Sequence, residues 1–129
     1  MVTPWGENSL RVRSVILGDI TGYSAALLDA PAVQPEINIS ATSATICNGN
    51  ITAELVVQPW GNALQIKFIN KKGECLLSEI PNGGALTLKA RHFTPLNGDS
   101  FHLKVSFLSD RNEKIYGMGQ YQQEIMDLK

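Results

Sequence analysis

The chain has 129 residues, within the roughly 100 to 200 typical of one domain and enough to bury a core. Hydrophobic residues make up 43% and charged residues 18%, which excludes the low-hydrophobicity, high-charge composition of disordered chains. With 11 Lys and Arg against 12 Asp and Glu, the electrostatic footprint of a nucleic-acid binder is missing, so no nucleic-acid partner is expected. Apolar runs such as Ala25 to Leu28 stop well short of the ~20 residues of a membrane span, and no basic-then-apolar leader opens the chain. The expectation is a soluble, cytoplasmic protein with no membrane partner.

Taken in chain order, the first signal is the alternation of Leu10 and Val12 with Arg11 and Arg13, the period-two pattern of a half-buried strand. Gly18 to Pro35, which holds Pro31 and Pro35, reads as a long connection with one short helical turn expected at Ala25 to Asp29. Ile37 to Ile46 reads as a further strand. Alternation returns in Ile51, Ala53, Leu55 and Val57, then in Leu64, Ile66 and Phe68, in Leu86 and Leu88, and in Phe101, Leu103, Val105 and Phe107. Asn48-Gly49, Asn70 to Gly73, Asn82-Gly83-Gly84 and Asn97-Gly98 separate these runs, with residues that tolerate positive φ and so close hairpins. Six to eight short strands, turns about every ten residues and no sustained helical period predict an all-β fold, an antiparallel β-sandwich with little helix. Strand-like Lys114-Ile115-Tyr116 then runs into Gly117-Met118-Gly119 and a polar, aromatic tail that reads as unfinished at Lys129.

The residues that could carry chemistry are few. Cys47 and Cys75 sit in strand-like runs without CxxC or CxxH spacing, so both are expected as small buried free thiols, a disulfide being the alternative. His92 and His102 fall in strands with no ligand spacing around them, which makes them ordinary sheet residues rather than a metal site. No GxSxG elbow places a nucleophile. Asp110, Glu113, Glu124 and Asp127 are the carboxylates available for glycoside chemistry, but they lie in a polar turn and the tail, where solvated charge is the ordinary state. Gly117-Met118-Gly119-Gln120 lacks the third glycine and following helix of a phosphate loop. It reads instead as a close backbone approach after a strand, flanked by Tyr116, Tyr121, Gln120 and Gln122, whose aromatic and amide groups suit sugars. No catalytic residue, metal site or cofactor is expected in this chain.

The string Asn112-Glu113-Lys114-Ile115-Tyr116-Gly117-Met118-Gly119-Gln120-Tyr121-Gln122 resembles the Glu-x-Ile/Leu-Tyr-Gly-x-Gly-Glu/Gln segment of glycoside hydrolase family 31. Thr3-Pro4-Trp5-Gly6-Glu7-Asn8-Ser9-Leu10-Arg11-Val12-Arg13 supports it upstream, as does the stretch from Asn48-Gly49 through Leu64-Gln65-Ile66-Lys67-Phe68-Ile69-Asn70 to Gly73-Glu74-Cys75-Leu76-Leu77. The resemblance implies an N-terminal β-sandwich, galactose mutarotase-like in fold, over residues 1–116. Residues 117–129 would then start the connection toward a catalytic (β/α)8 barrel that carries the Asp nucleophile and Asp acid/base. It further implies a retaining α-glycosidase, α-glucosidase or α-xylosidase-like, with this domain packing on its own barrel and helping to shape the pocket for an α-linked oligosaccharide or glycoside.

On that reading Tyr116, Gly117, Gly119, Gln120, Tyr121 and Gln122 are the substrate-pocket or barrel-interface candidates. Gln120 stands where many family members carry Glu, and an amide makes different hydrogen bonds from a carboxylate, which leaves the substrate open. Mutarotase-like folding does not imply epimerase chemistry. Two other functions remain in play: an independent carbohydrate-binding module, and a structural or interaction sandwich without sugar contact. An apolar face uncovered in the isolated chain would promote self-association.

Overall fold

The computed structural model describes residues 1–16, 18–20, 26–59, 63–82, 89–98 and 100–117. Among them there is no helix, and nine strands: β1 (Val2–Pro4), β2 (Leu10–Val12), β3 (Glu36–Ile39), β4 (Ser43–Asn48), β5 (Ile51–Val57), β6 (Leu64–Asn70), β7 (Cys75–Ser78), β8 (Arg91–Pro95) and β9 (Phe101–Val105). All pairings are antiparallel. β1 and β2 form a hairpin, β3 to β7 a five-stranded meander in chain order, and β8 with β9 a second hairpin. The all-β, antiparallel expectation holds.

The alternation read from the sequence sets the faces of the meander. Ile46 pairs with Ala53, Ala53 with Phe68, and Leu55 with Ile66, so β4, β5 and β6 present apolar side chains on one side. Thr45, Glu54 and Lys67 stand opposite one another on the other side, where Lys67 Nζ lies 3.7 Å from Glu54 Oε2. Ile46, Ala53 and Ile66 are buried, and Val2, Leu10, Leu55 and Phe68 pack against them. The β1–β2 hairpin therefore lies across the apolar face as a second layer, the arrangement of a sandwich. Each fully buried isoleucine contributes about 1.5–3 kcal/mol through water exclusion.

Turn chemistry accounts for the connections. In the β4–β5 hairpin the loop residues are Gly49 and Asn50, and Gly49 has φ +64°, the left-handed value that the first position of a type II′ turn requires. Asn48 is thus a strand residue rather than part of the turn. At the β6–β7 connection Asn70 Oδ1 accepts from the N–H groups of Lys72 and Glu74, each at 2.9 Å, the local bonding that makes Asn a turn former.

Several expectations are corrected. Ile37 to Ile46 is not one strand but two, β3 and β4, folded on each other at Ser40. The Ser40 N–H donates to Ser43 O at 2.8 Å and the Ser43 N–H to Ser40 Oγ at 3.1 Å, so serine hydroxyl and backbone groups satisfy a turn that apolar periodicity does not reveal. Residues 26–29 hold no helical turn; Ala25 lies outside the described residues, as do Leu86 and Leu88. Lys114-Ile115-Tyr116 is not a strand, and β9 ends at Val105, with Phe107 joined to Glu79 in an isolated bridge. β1 completes a hairpin that Leu10 and Val12 alone did not disclose. Cys47 and Cys75 are free, as expected, but Cys47 is only half-buried and Cys75 is exposed, because both stand on the polar side of the meander, where Cys47 faces Thr52 and Cys75 faces Ile69.

Candidate functional site

Of the six candidates in the closing motif, the structure describes Tyr116 and Gly117; Gly119, Gln120, Tyr121 and Gln122 lie outside the described residues. Tyr116 is exposed. Gly117 has φ +91°, and a Cβ built on it meets none of the described residues within 4 Å. That left-handed backbone is one glycine adopts at little cost; the rest of the Gly117-Met118-Gly119-Gln120 segment lies outside the described residues. Upstream, Asp110 begins an Asx turn. Its Oδ1 accepts the Asn112 N–H at 2.7 Å and its carbonyl the Glu113 N–H at 3.2 Å.

The other chemistry-bearing residues are dispersed. His92 and His102 are exposed on the polar face of the β8–β9 hairpin, where His92 faces Lys104 and His102 faces Thr94. Asp110 and Glu113 are exposed as well; Glu124 and Asp127 lie outside the described residues. Among the described residues no group of three or more His, Cys, Asp or Glu could hold a metal ion.

The most chemically distinctive residue is one that periodicity passed over. Glu79 is buried, 3% exposed, one residue beyond β7. Its N–H continues the ladder to Ile66 O at 2.9 Å, while its Oε2 accepts the Ile66 N–H at 2.8 Å. Its own carbonyl takes Nε2 of Gln65 at 2.7 Å. Arg91, at the start of β8, brings Nη2 to 2.6 Å from Oε1 and 2.7 Å from Oε2. The carboxylate thus replaces a backbone partner in the sheet and anchors the second hairpin at one point. An acid with both oxygens so engaged is a structural ion pair, not a proton donor to a substrate. The sequence signal was available: in Leu77-Ser78-Glu79 the charge falls at the inward parity of an alternating run.

A second polar cluster joins the layers. Asn48, also buried, donates through Nδ2 to Gly6 O at 2.7 Å and Ser9 O at 2.8 Å. Asn8, at φ +57°, accepts the Asn50 N–H on Oδ1 at 2.7 Å, and the Ser9 hydroxyl donates to Trp5 O. The turn of the β1–β2 hairpin is thereby clasped to that of β4–β5. Arg11 lies over the Trp5 ring, 4.6 Å from its centroid, a cation–π contact that occupies the described indole.

No family model matches the chain. A protein of Pseudescherichia vulneris named as a family 31 glucosidase is 39% identical over 143 aligned residues, which take in 98% of this chain and 26% of that protein. A family 31 α-xylosidase from a soil metagenome, solved in complex with xylose, is 37% identical and superposes with a TM-score of 0.78 over 99% of this chain and 21% of its own. The chain thus spans about a quarter of the length of the relatives it matches. In sequence along nearly its whole length, and in all-β fold, it is homologous to a segment of the glycosidases of glycoside hydrolase family 31.

Proposed function

We propose that this chain is a non-catalytic accessory β domain of a family 31 retaining α-glycosidase, acting on α-xylosides or α-glucosides when joined to a catalytic barrel. The observation that carries the reading is the match of nearly the whole chain to only 26% and 21% of two glycosidases. The role assigned to the domain is to pack on the barrel, with the segment from Tyr116 onward leading toward it and helping to shape the pocket. The engaged state of Glu79 supports a structural rather than a proton-transfer part for the one buried carboxylate described.

The test is the reading frame itself and the protein it encodes. The expected frame continues past Lys129 into βα-periodic sequence with an Asp at the end of a barrel strand. The longer product then hydrolyses 4-nitrophenyl α-xyloside or α-glucoside and the 129-residue chain alone does not. A frame that stops at Lys129, or hydrolysis by the short chain, overturns the reading.

A further inference from the structure

Asparagine followed by glycine is a pair with chemistry of its own. The main-chain nitrogen of the following residue can attack the asparagine side-chain carbonyl, which is one reason asparagine counts among the thermolabile residues. Glycine in the second place brings no Cβ to crowd that approach. The pair occurs three times, at Asn48-Gly49, Asn82-Gly83 and Asn97-Gly98, and by sequence the three are alike. Gly83 lies outside the described residues. The fold treats the other two pairs in opposite ways.

Asn48 closes β4 and is 4% exposed. Its Nδ2, the atom that such an attack would expel as ammonia, donates to Gly6 O at 2.7 Å and Ser9 O at 2.8 Å. Losing it strands two carbonyls of the neighbouring hairpin. The pairing with Ile51 holds the Asn48 main chain, and Asn8 Oδ1 sits so close to Gly49 that a Cβ there would clash with it. Side chain and main chain are both held, so attack at Asn48 has to wait for the clasp to open.

Asn97 differs in each of these respects. It lies in the loop between β8 and β9, beyond the Pro95–Phe101 pair and inside the 2.9 Å bond from the Leu96 N–H to Ser100 O. Asn97 and Gly98 are both exposed. Among the described residues neither the Asn97 side chain nor the Gly98 N–H has a hydrogen-bond partner. A Cβ built on Gly98 meets none of them within 4 Å. No bond has to break for the Asn97 side chain to swing onto the Gly98 nitrogen, and no described group loses a partner when the amide leaves.

We propose that Asn97 is a site of self-catalysed covalent modification in the folded protein, converted with water to aspartate and isoaspartate, and that its clasp shields Asn48 from the same reaction. The Gly98 nitrogen bonds to Asn97 Cγ as the Cγ–Nδ2 bond breaks, and the Gly98 proton goes with Nδ2, which leaves as ammonia. The resulting cyclic imide takes up one water. Opening at Cγ restores the main chain with an aspartate, whereas opening at the Asn97 main-chain carbonyl leaves the chain running through Cβ and Cγ as isoaspartate. No oxidant or reductant enters. Either product makes the formal net charge of the chain one unit more negative than its −1. The new charge sits at the hairpin tip, outside every strand pair of β8 and β9. Nothing in this depends on the accessory-domain reading.

The test uses the unsubstituted product of the whole reading frame, incubated warm in mildly alkaline buffer made with heavy-oxygen water and then digested with trypsin. Cleavage after Arg91 and Lys104 releases the peptide from His92 to Lys104, in which Asn97 is the only asparagine. Conversion replaces the side-chain NH2 by a labelled oxygen, and fragment masses give the same reading at Asn48. In the folded protein Asn97 is expected to convert at least about tenfold faster than Asn48, because Asn48 reacts only through local opening. In urea the two are expected to convert at comparable rates. Equal rates in the folded protein overturn the shielding of Asn48. An unmodified Asn97 after an incubation that converts it in urea overturns the site, whatever holds or covers the loop. Isoaspartate, separated from aspartate by chromatography of the two peptides, is the mark of the imide; aspartate alone overturns that route.

Discussion

At the scale of single residues, stability is concentrated in polar groups that bridge elements. Glu79 satisfies the Ile66 N–H with its side chain and meets Arg91, and removing one member of a buried pair leaves the other charge without compensation. Arg91→Met is expected to cost about 3–5 kcal/mol, measured by urea unfolding. Glu79→Gln combined with Arg91→Met retains an acceptor for Ile66 and is expected to cost distinctly less; equal costs would deny the ion pair its role. Asn48→Ala removes the donors to Gly6 and Ser9 and is expected to cost about 1–3 kcal/mol, the penalty for stranding buried polar groups. Gly49→Ala meets both a left-handed φ and a clash of the added Cβ with Asn8 Oδ1. It should destabilise, and pairing it with Asn8→Ala should recover only the steric part of the loss, because the backbone strain remains.

At the scale of elements, the meander follows from alternation and turn chemistry, whereas the hairpins on either side of it depend on particular contacts. Ala53 is fully buried between Ile46 and Phe68, under the hairpin that carries Val2 and Leu10. Ala53→Leu is expected to cost about 1–3 kcal/mol by overpacking, where a propensity argument alone would favour the larger residue in a strand. The thiols report the same sidedness. Cys75 is exposed and Cys47 half-buried, so a disulfide-exchange reagent should modify Cys75 first in the folded chain and both at equal rates in denaturant. Simultaneous native-state modification would argue against the described register of β6 and β7.

At the scale of the whole molecule, the described residues form an antiparallel sheet with a hairpin packed on its apolar core, in a chain homologous to a quarter of a family 31 glycosidase. For a module that binds sugar independently, an aromatic platform open to a ligand is the usual means, but Trp5 is stacked with Arg11. Titration of the chain with xylose, maltose and isomaltose is therefore expected to leave tryptophan fluorescence, from Trp5 and Trp60, unchanged. A saturable change would favour the binding-module reading.

How much of this was legible beforehand differs by residue. Thr52, Glu54 and Lys67 against Ala53, Leu55 and Ile66 state their faces in their order, because strand side chains alternate whatever the rest of the chain does. Gly49 and Asn70 state their turns, because a positive φ and an Asx bond are local events. The closing motif around Tyr116-Gly117 pointed to the family through identity rather than through geometry. The break at Ser40, the membership of Val2 to Pro4 in a hairpin, the inward place of Asn48 and the pairing of Glu79 with Arg91 were not legible, since each depends on a partner distant in sequence. The amino-acid order by itself thus determined an antiparallel all-β chain with apolar and polar residues alternating along its strands. Only the tertiary structure decided which polar residues are buried and which segments the Glu79–Phe107 bridge joins, because those outcomes arise from contacts between segments and not from the period within one.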